Sequence, residues 1–255
     1  MSKQSSSILV FLKQGDTEID ASIAIGEGKI LWSGQNGLEW IGKDEEQWDS
    51  VYLIKYGDIH KLQQATKRFR EKNFEQIKLL AVKPTSKNQL RFIRFLMKYV
   101  FSRFSIEIAE REIDSDRIPK SDILPTMEQH TQVAEKHKDH PIVMVNLLDY
   151  YDEPLYPKEY DGKKGKDGLD AYNLYGKRVM KTVAKLGGII EYMGKVESVL
   201  IGNKEEKWHE FAFMRYHTLD ALESMFKVKE NVDVAIHRDA GLKSTKVLAF
   251  TPMLD

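Results

Sequence analysis

The stretch Gly28–Leu62, GKILWSGQNGLEWIGKDEEQWDSVYLIKYGDIHKL, recurs at Gly188–Leu222 as GIIEYMGKVESVLIGNKEEKWHEFAFMRYHTLDAL, without a gap. Ten of the 35 aligned pairs are identical, whereas average composition gives roughly two by chance. The densest shared part is Ile-Gly-x-x-Glu-Glu-x-Trp, at residues 41–48 and 201–208. A chain that carries one module twice has a duplicated architecture, so this repeat decides the fold.

Each copy shows the pattern strand, helix, strand, strand, helix, strand. Apolar alternation, β-branched runs and helical spacing define these elements. In the second copy they fall at residues 142–148, 168–186, 189–200, 208–216, from 218, and 247–250. In the first copy they fall at residues 8–12, 16–24, 29–40, 49–56, from 58, and 77–82.

A βαββαβ unit is the ferredoxin-like arrangement. We therefore expect an α+β protein of two tandem ferredoxin-like modules, whose antiparallel sheets cover each other by forming a barrel with the helices outside. The expected organisation is a degenerate module at 1–84, a helical linker region at 85–140 and a second module at 141–255.

Composition excludes several classes of function. The 39 basic and 39 acidic residues cancel, so no overall field recruits nucleic acid or an anionic membrane, and neither partner is expected. The chain has no cysteine, which excludes disulfides and thiolate chemistry. The polar start, the short apolar run at 8–12 and the absence of any long apolar stretch predict a cytoplasmic protein.

Residues 87–104 predict an apolar helix with five basic residues and no acidic one. One interpretation is a helix that binds a membrane surface or a partner. The other is an interdomain helix, buried on more than one side, whose cations extend to solvent. The apolar coverage of most of the helix favours the interdomain helix. Residues 105–124 are expected to be a charged connector, and a short helix is expected at 126–138.

The second half resembles the family catalogued as domain of unknown function 1330, in the dimeric α/β-barrel superfamily. The resemblance runs from about Ile123 to Pro252. It rests on Leu124-Pro-Thr-Met-Glu-Gln129, Pro141-Ile-Val-Met-Val-Asn-Leu-Leu148, Gly168-Leu-Asp-Ala-Tyr-Asn-Leu-Tyr-Gly176, Lys185-Leu-Gly-Gly188, Val199-Leu-Ile-Gly202 with Trp208, and His237-Arg-Asp-Ala-Gly-Leu242. After Asn-Leu-Leu the chain has Asp149-Tyr150, where family members usually have a basic residue and Phe.

The resemblance implies a barrel made by two modules, usually from two chains. Because the duplication supplies both modules here, we expect a monomeric pseudo-dimer, with a homodimer as the alternative. Relatives in the superfamily include cofactor-free monooxygenases, isomerases of small ring compounds and haem enzymes. The family itself has no well-established reaction.

The densest polar cluster of the second module is His237-Arg238-Asp239. As a catalytic group, His237 would be a general acid or base, Arg238 would bind a carboxylate or enolate oxygen, and Asp239 would orient one of them. The structural alternative places the three residues in a last helical turn, with Gly241 as a C′ cap and Arg238–Asp239 as a local ion pair.

Three further residues are candidate ligand contacts: Asn146, Tyr172 and Tyr175. Asn146 interrupts an apolar strand, so it either faces a pocket or bonds neighbouring backbone. Tyr172 and Tyr175 share one helix face. The preceding loop, residues 150–167, is either a lid or a solvated insertion.

Signals for metals and cofactors are weak, and neither is expected. His130, His137 and His140 match no zinc signature. Haem would need a buried ligand, for which His237 is the candidate. The Glu-Glu-x-Trp repeat is interpreted as structural, with Gly42 and Gly202 at turns and the tryptophans anchoring the next strand.

The leading interpretation is a small-molecule-binding protein. Its ligand would carry a carbonyl or carboxylate, and the protein would catalyse proton transfer or oxygenation without a cofactor. The alternative is a non-catalytic binding or assembly protein whose barrel core is filled. An open cavity touching His237 would favour the first interpretation.

Overall fold

Alternating side chains of the strands point into two different apolar layers, because successive residues of a strand face opposite sides of a sheet. In the computed structural model, which describes residues 6–15, 20–43, 46–106, 125–138 and 140–253, these strands form one sheet. They are β1 (Ser7–Lys13), β2 (Lys29–Ile41), β3 (Gln47–Lys55), β4 (Gln76–Pro84), β5 (Ile142–Tyr150), β6 (Ile189–Ile201), β7 (Glu210–Tyr216) and β8 (Leu242–Pro252).

The sheet closes into an antiparallel barrel in the order β1-β3-β2-β8-β5-β7-β6-β4. Each half of the chain contributes four neighbouring strands. The halves meet at two seams, β2 with β8 and β4 with β6. The barrel expected from the duplication therefore closes within a single chain.

The barrel interior is filled with apolar side chains. Phe11, Leu53, Phe211, Phe213 and Phe250 project into it and are fully buried. Aromatic rings pack there at centroid separations of 5.6 to 6.3 Å. The interior is therefore a packed core.

The helices lie outside the barrel, as expected. They are α1 (Ala21–Ile25), α2 (Ile59–Glu71), α3 (Lys87–Tyr99), α4 (Met127–His137), α5 (Gly168–Lys185), α6 (Leu219–Phe226) and α7 (Lys229–Gly241). Side-chain caps fix where α2, α4, α5 and α6 begin, because Asp58, Thr126, Asp167 and Thr218 each accept a backbone N–H of the first turn. Helix α7 has no counterpart in the first half, where residues 72–75 alone join α2 to β4.

The predicted burial of α3 on more than one side is wrong: of its residues only Leu90 and Met97 are buried, while Phe92, Phe95 and Tyr99 are exposed. Of the predicted charged connector, residues 107–124 lie outside the described residues, as do residues 16–19 of the first predicted helix. Within the described ranges, no helix is long and apolar enough to cross a membrane.

Candidate functional site

Two glycines bring the end of α7 onto the start of α5. A methyl group added at Gly241 would lie 2.4 Å from the Gly168 carbonyl oxygen, so only glycine permits this approach. The Tyr151 N–H donates to the Gly241 carbonyl at 3.0 Å, and the Gly168 N–H donates to the Tyr151 carbonyl at 3.0 Å. The predicted C′ cap at Gly241 is therefore wrong: Gly241 is the last residue of α7, has no left-handed φ, and serves close packing.

This junction gathers tyrosines between α5 and the sheet. The Tyr150 and Tyr172 rings lie 5.4 Å apart, and those of Tyr172 and Tyr175 lie 5.7 Å apart. Burial raises the pKa of Tyr172 and Tyr175, and the nearby positive charge of Arg238 offsets only part of this rise. Both phenols therefore stay protonated at neutral pH and act as hydrogen-bond donors.

Arg238 and Asp239 of α7 lie beside these tyrosines. Their side chains are 14% and 30% exposed, and Arg238 Nη1 lies 3.8 Å from Asp239 Oδ1. Burial raises the pKa of Asp239 and the Arg238 guanidinium opposes this rise. The structure thus brings four predicted site residues together: Tyr172, Tyr175, Arg238 and Asp239.

His237 points elsewhere, into the loop that precedes α5. Its Nδ1 lies 2.8 Å from the hydroxyl of Tyr156. Tyr160 stacks on Tyr156 at 5.1 Å and meets the His237 ring edge-on at 5.9 Å. Burial, and secondarily the charge of Lys163, lower the pKa of His237, so the imidazole is neutral at neutral pH. The loop is thus packed against α7, and His237 does not share its surroundings with Arg238.

Asn146 lies on the sheet below α5. Its Nδ2 donates to the carbonyl of Met144 at 2.9 Å and to that of Ala212 at 3.1 Å. Of the two alternatives predicted for this residue, the bond to neighbouring backbone is confirmed, and the side chain is partly exposed. Both of these bonds use the nitrogen, which leaves the carboxamide oxygen as an acceptor toward the helix layer.

Helix α5 has no side chain at Gly176. Tyr172, Gly176, Val179 and Val183 form one stripe with spacing i, i+4, i+7, i+11. Tyr172 packs on Tyr150 at one end of β5, and Val179 and Val183 belong to the apolar cluster of Met144 near its other end. The stripe therefore directs Gly176 toward the stretch that contains Asn146. Gly176 is partly exposed, and a methyl group added there would meet nothing within 4 Å.

Small residues line both sides of this space. Ala212 is the register partner of Asn146 on β7, and both are partly exposed although their strands are central in the barrel wall. We call the space between Gly176, Asn146 and Ala212 the α5 cleft. Its chemistry combines apolar walls, an amide acceptor, phenolic donors and a guanidinium, a set suited to a small molecule with a polar oxygen.

A second polar cluster, at one end of the barrel, was interpreted from sequence only as scaffold. Lys78 of β4 and Lys246 of β8 occupy equivalent positions of the two halves and are 5% and 4% exposed. Lys78 Nζ donates to Glu46 at 2.8 Å and to Glu206 at 3.1 Å, and Lys246 Nζ donates to Glu46 at 2.5 Å.

The repeated Glu-x-Trp sequence builds this cluster. The indole N–H of Trp48 donates to Glu46 at 2.9 Å, and that of Trp208 donates to Glu206 at 3.0 Å. Burial acts to raise the pKa of Glu46, but the two lysine charges outweigh it and hold that pKa below its usual value. The repeated motif thus closes one end of the barrel with ion pairs. In the sequence, each lysine stands alone in an apolar strand and does not reveal these pairs.

Two cavities stand out in the described part of the chain, and neither is lined by a predicted site residue. One, of about 520 Å³, lies between α4 and the β2–β3 turn and is lined by Glu39, Lys43, Glu46 and Gln129 among others. The other, of about 220 Å³, lies beside α1 and α2. Neither touches His237.

Two of the three histidines weighed as metal ligands, His130 and His137, lie in different surroundings. His130 pairs with Glu223 at 2.7 Å, whereas His137 is fully buried with its Nδ1 3.1 Å from the hydroxyl of Thr251. Within the ranges that the structure covers, no group of three or more potential ligands could hold a metal ion.

No family model matches the chain, and no curated protein matches it. A solved structure of a protein of unknown function from Rhodopseudomonas palustris is 26% identical, over 51% of this chain and 96% of its own, with a TM-score of 0.46. A proposed monooxygenase from Lactobacillus acidophilus is 12% identical, over 98% of this chain and 94% of its own, with a TM-score of 0.42. An anthrone oxidase-like protein is 10% identical, over 99% of this chain and 92% of its own, with a TM-score of 0.45. No activity is carried over from these likenesses.

Proposed function

We propose that the protein binds a small organic molecule with a carboxylate or carbonyl group in the α5 cleft. The observation that carries this proposal is the open space beside Gly176, together with the partial exposure of Asn146 and Ala212 on the sheet. Proteins fill such layers at crystal-like density, so a gap bounded by polar groups is a reasonable place for a ligand.

The polar groups beside the cleft select the chemistry of the ligand. Arg238 supplies a permanent positive charge that is largely shielded from solvent. The protonated phenols of Tyr172 and Tyr175 add neutral donors. An oxyanion can accept hydrogen bonds from all three groups, whereas the Arg238 charge repels an ammonium group, so we expect anionic or carbonyl ligands.

A thermal-shift screen tests the binding proposal. The probes are benzoate, salicylate and acetylacetone, with benzylamine as the cationic comparison. We expect stabilisation by one or more of the oxygen ligands, its loss in Gly176→Met and Arg238→Gln, and its retention in the control Asn173→Met. Asn173 is exposed on the same helix, so the control adds the same side chain outside the cleft. Stabilisation that survives in Gly176→Met would exclude this site.

We further propose that His237 takes a proton from a bound carbon acid. The support is its neutral imidazole and its 2.8 Å contact with the Tyr156 hydroxyl, which gives the imidazole a hydrogen-bond partner in the loop. The balanced step moves one proton to His237 from an enolisable carbon of a ligand that reaches the loop side of α7, and the negative charge resides on the enolate oxygen.

Deuterium exchange into acetylacetone measures this step directly. His237→Asn should slow protein-dependent exchange by about 10²-fold, a usual contribution of general-base catalysis, while leaving the thermal shift in place. Tyr156→Phe should have a smaller effect. Equal exchange with wild type and His237→Asn would refute the catalytic role but leave the binding proposal standing.

A second candidate function is favoured by the packed barrel interior and by the position of both cavities away from His237. In it, the protein is a non-catalytic binding or assembly protein. It predicts that no probe gives a shift sensitive to Gly176→Met and that His237→Asn changes no exchange rate.

We also propose that the two halves are copies of one ferredoxin-like module. Support comes from the repeated sequence and from the strand orders β4-β1-β3-β2 and β8-β5-β7-β6, which correspond position by position. On this proposal α7 and the long loop before α5 are additions of the second copy, and α7 supplies His237, Arg238 and Asp239 to the candidate site.

A further inference from the structure

Helix α3 presents aromatic side chains to solvent. Phe92, Phe95 and Tyr99 are 61%, 54% and 46% exposed, and they follow one another at i, i+3 and i+7. Val100 and Phe104 continue the exposed apolar surface beyond the helix end. Contiguous apolar surface of this kind marks an interaction site more often than chance exposure does.

Positive charges surround these rings. Lys87, Arg91, Lys98 and Arg103 are exposed, and the helix contains no acidic residue. The Lys98 ammonium lies 5.2 Å from the Tyr99 ring centroid, and Lys181 of α5 lies 4.4 Å from that of Phe104. We call this surface, from Lys87 to Phe104 with Lys181, the α3 patch.

The opposite face holds α3 firmly to the barrel. Leu90 and Met97 are buried in the apolar cluster that also contains Trp40 and Met144. Arg94 donates to the carbonyl oxygens of Ile190 at 2.8 Å and of Glu191, and its guanidinium lies 5.9 Å from the Tyr192 ring. Because these contacts of Arg94 hold α3 in one orientation, the exposed rings have a fixed position on the surface.

We propose that the α3 patch docks on an anionic lipid surface. A helix lying in a membrane interface needs an apolar face and flanking cations, and each lysine or arginine near an anionic surface contributes about 1 kcal/mol. The patch has both features, while the charge of the whole chain is balanced. Charge complementarity favours this occupant over a neutral bilayer or an apolar protein surface, which would leave the four cations without partners.

Vesicle co-sedimentation of the full chain tests the proposal. The probes are phosphatidylcholine vesicles with and without 30% phosphatidylserine, at about 50 mM and 500 mM salt, far apart on the screening scale. We expect binding to the mixed vesicles only, weakened at least about tenfold at high salt. Binding that is equal on neutral vesicles, or absent from both, overturns the proposal.

Two variants with matched controls localise the binding. Arg91→Glu with Lys98→Glu should reduce it at least about tenfold, and Lys29→Glu with Lys55→Glu, an equal charge change on exposed β-strand residues, should not. Phe92→Ser with Phe95→Ser should abolish it, whereas Ile23→Ser at a residue of similar exposure, 54%, should not. Circular dichroism confirms that each variant is folded. Equal binding by the patch and control variants refutes a lipid occupant. A dimer of this chain that buries the patch, detected by sedimentation velocity, also refutes it.

Discussion

Lowering the pH from 7.5 to 4.5 should destabilise the protein through one imidazole, that of His137. This side chain at the end of α4 is fully buried beside Thr251 of β8. Burial lowers its pKa from 6.5 to about 4, and the backbone of Asn36 opposes this only in part.

The sign follows from proton linkage. Because the unfolded chain has the higher pKa, it binds the proton first as pH falls below 6.5. The stability that the neutral, buried His137 side chain contributes is thus fully present above pH 6.5 and is lost progressively as the pH approaches 4. Integration of the two titrations between pH 7.5 and 4.5 gives a loss of about 2.5 kcal/mol from this residue alone.

Urea unfolding at both pH values measures this loss. The comparison is with His137→Gln, which keeps a polar side chain but does not titrate. Carboxylates titrate equally in both proteins, so the difference between their pH dependences isolates His137. We expect wild type to lose about 2.5 kcal/mol more than the variant over this interval. Parallel pH dependences would refute the burial argument for this residue.

Further predictions concern the barrel end and the glycines. Lys246→Met leaves the buried Glu39 and the partly buried Glu46 short of a partner and should cost about 3 kcal/mol of unfolding free energy. Lys243→Met, at an exposed residue of the same strand, should change the unfolding free energy by less than about 0.5 kcal/mol. Equal effects of the two variants would contradict the ion-pair account. Gly241→Ala should destabilise by about 1–3 kcal/mol because of its contact with Gly168. Gly176→Ala, with open space around it, should be neutral or stabilising by up to about 1 kcal/mol, and a melting temperature that falls in Gly176→Ala would argue against a gap.

Most of the fold could be predicted from the sequence because the repeat is long and its periodicities are strong. The predicted strand at 189–200 is β6 at Ile189–Ile201, and the predicted helix at 168–186 is α5 at Gly168–Lys185. Caps such as Asp58 and Thr126 have side-chain signals that fix helix starts. The burial of helix α3 was predicted wrongly because apolar residues on all sides of a helix do not indicate which face a neighbouring element covers.

The sequence indicated candidate side chains but not their geometry, and it did not indicate Gly176 or Ala212. Tyr172, Tyr175 and Arg238 come together because Gly241 packs on Gly168, a contact that no local pattern reveals. His237 faces Tyr156 because consecutive residues of a helix point about 100° apart, so their adjacency in sequence did not make one constellation. Lys78 and Lys246 were missed because one lysine in an apolar strand has no signature until its partner strand is known.

The most direct test of the central claim is a crystal structure of the protein with the carboxylate or ketone that stabilises it most. The account predicts ligand density between Gly176 and Asn146, with a ligand oxygen within hydrogen-bond distance of Arg238 or a phenol of Tyr172 or Tyr175. Density in the cavity beside Glu39 and Gln129 instead, with the α5 cleft closed by side chains, would contradict it.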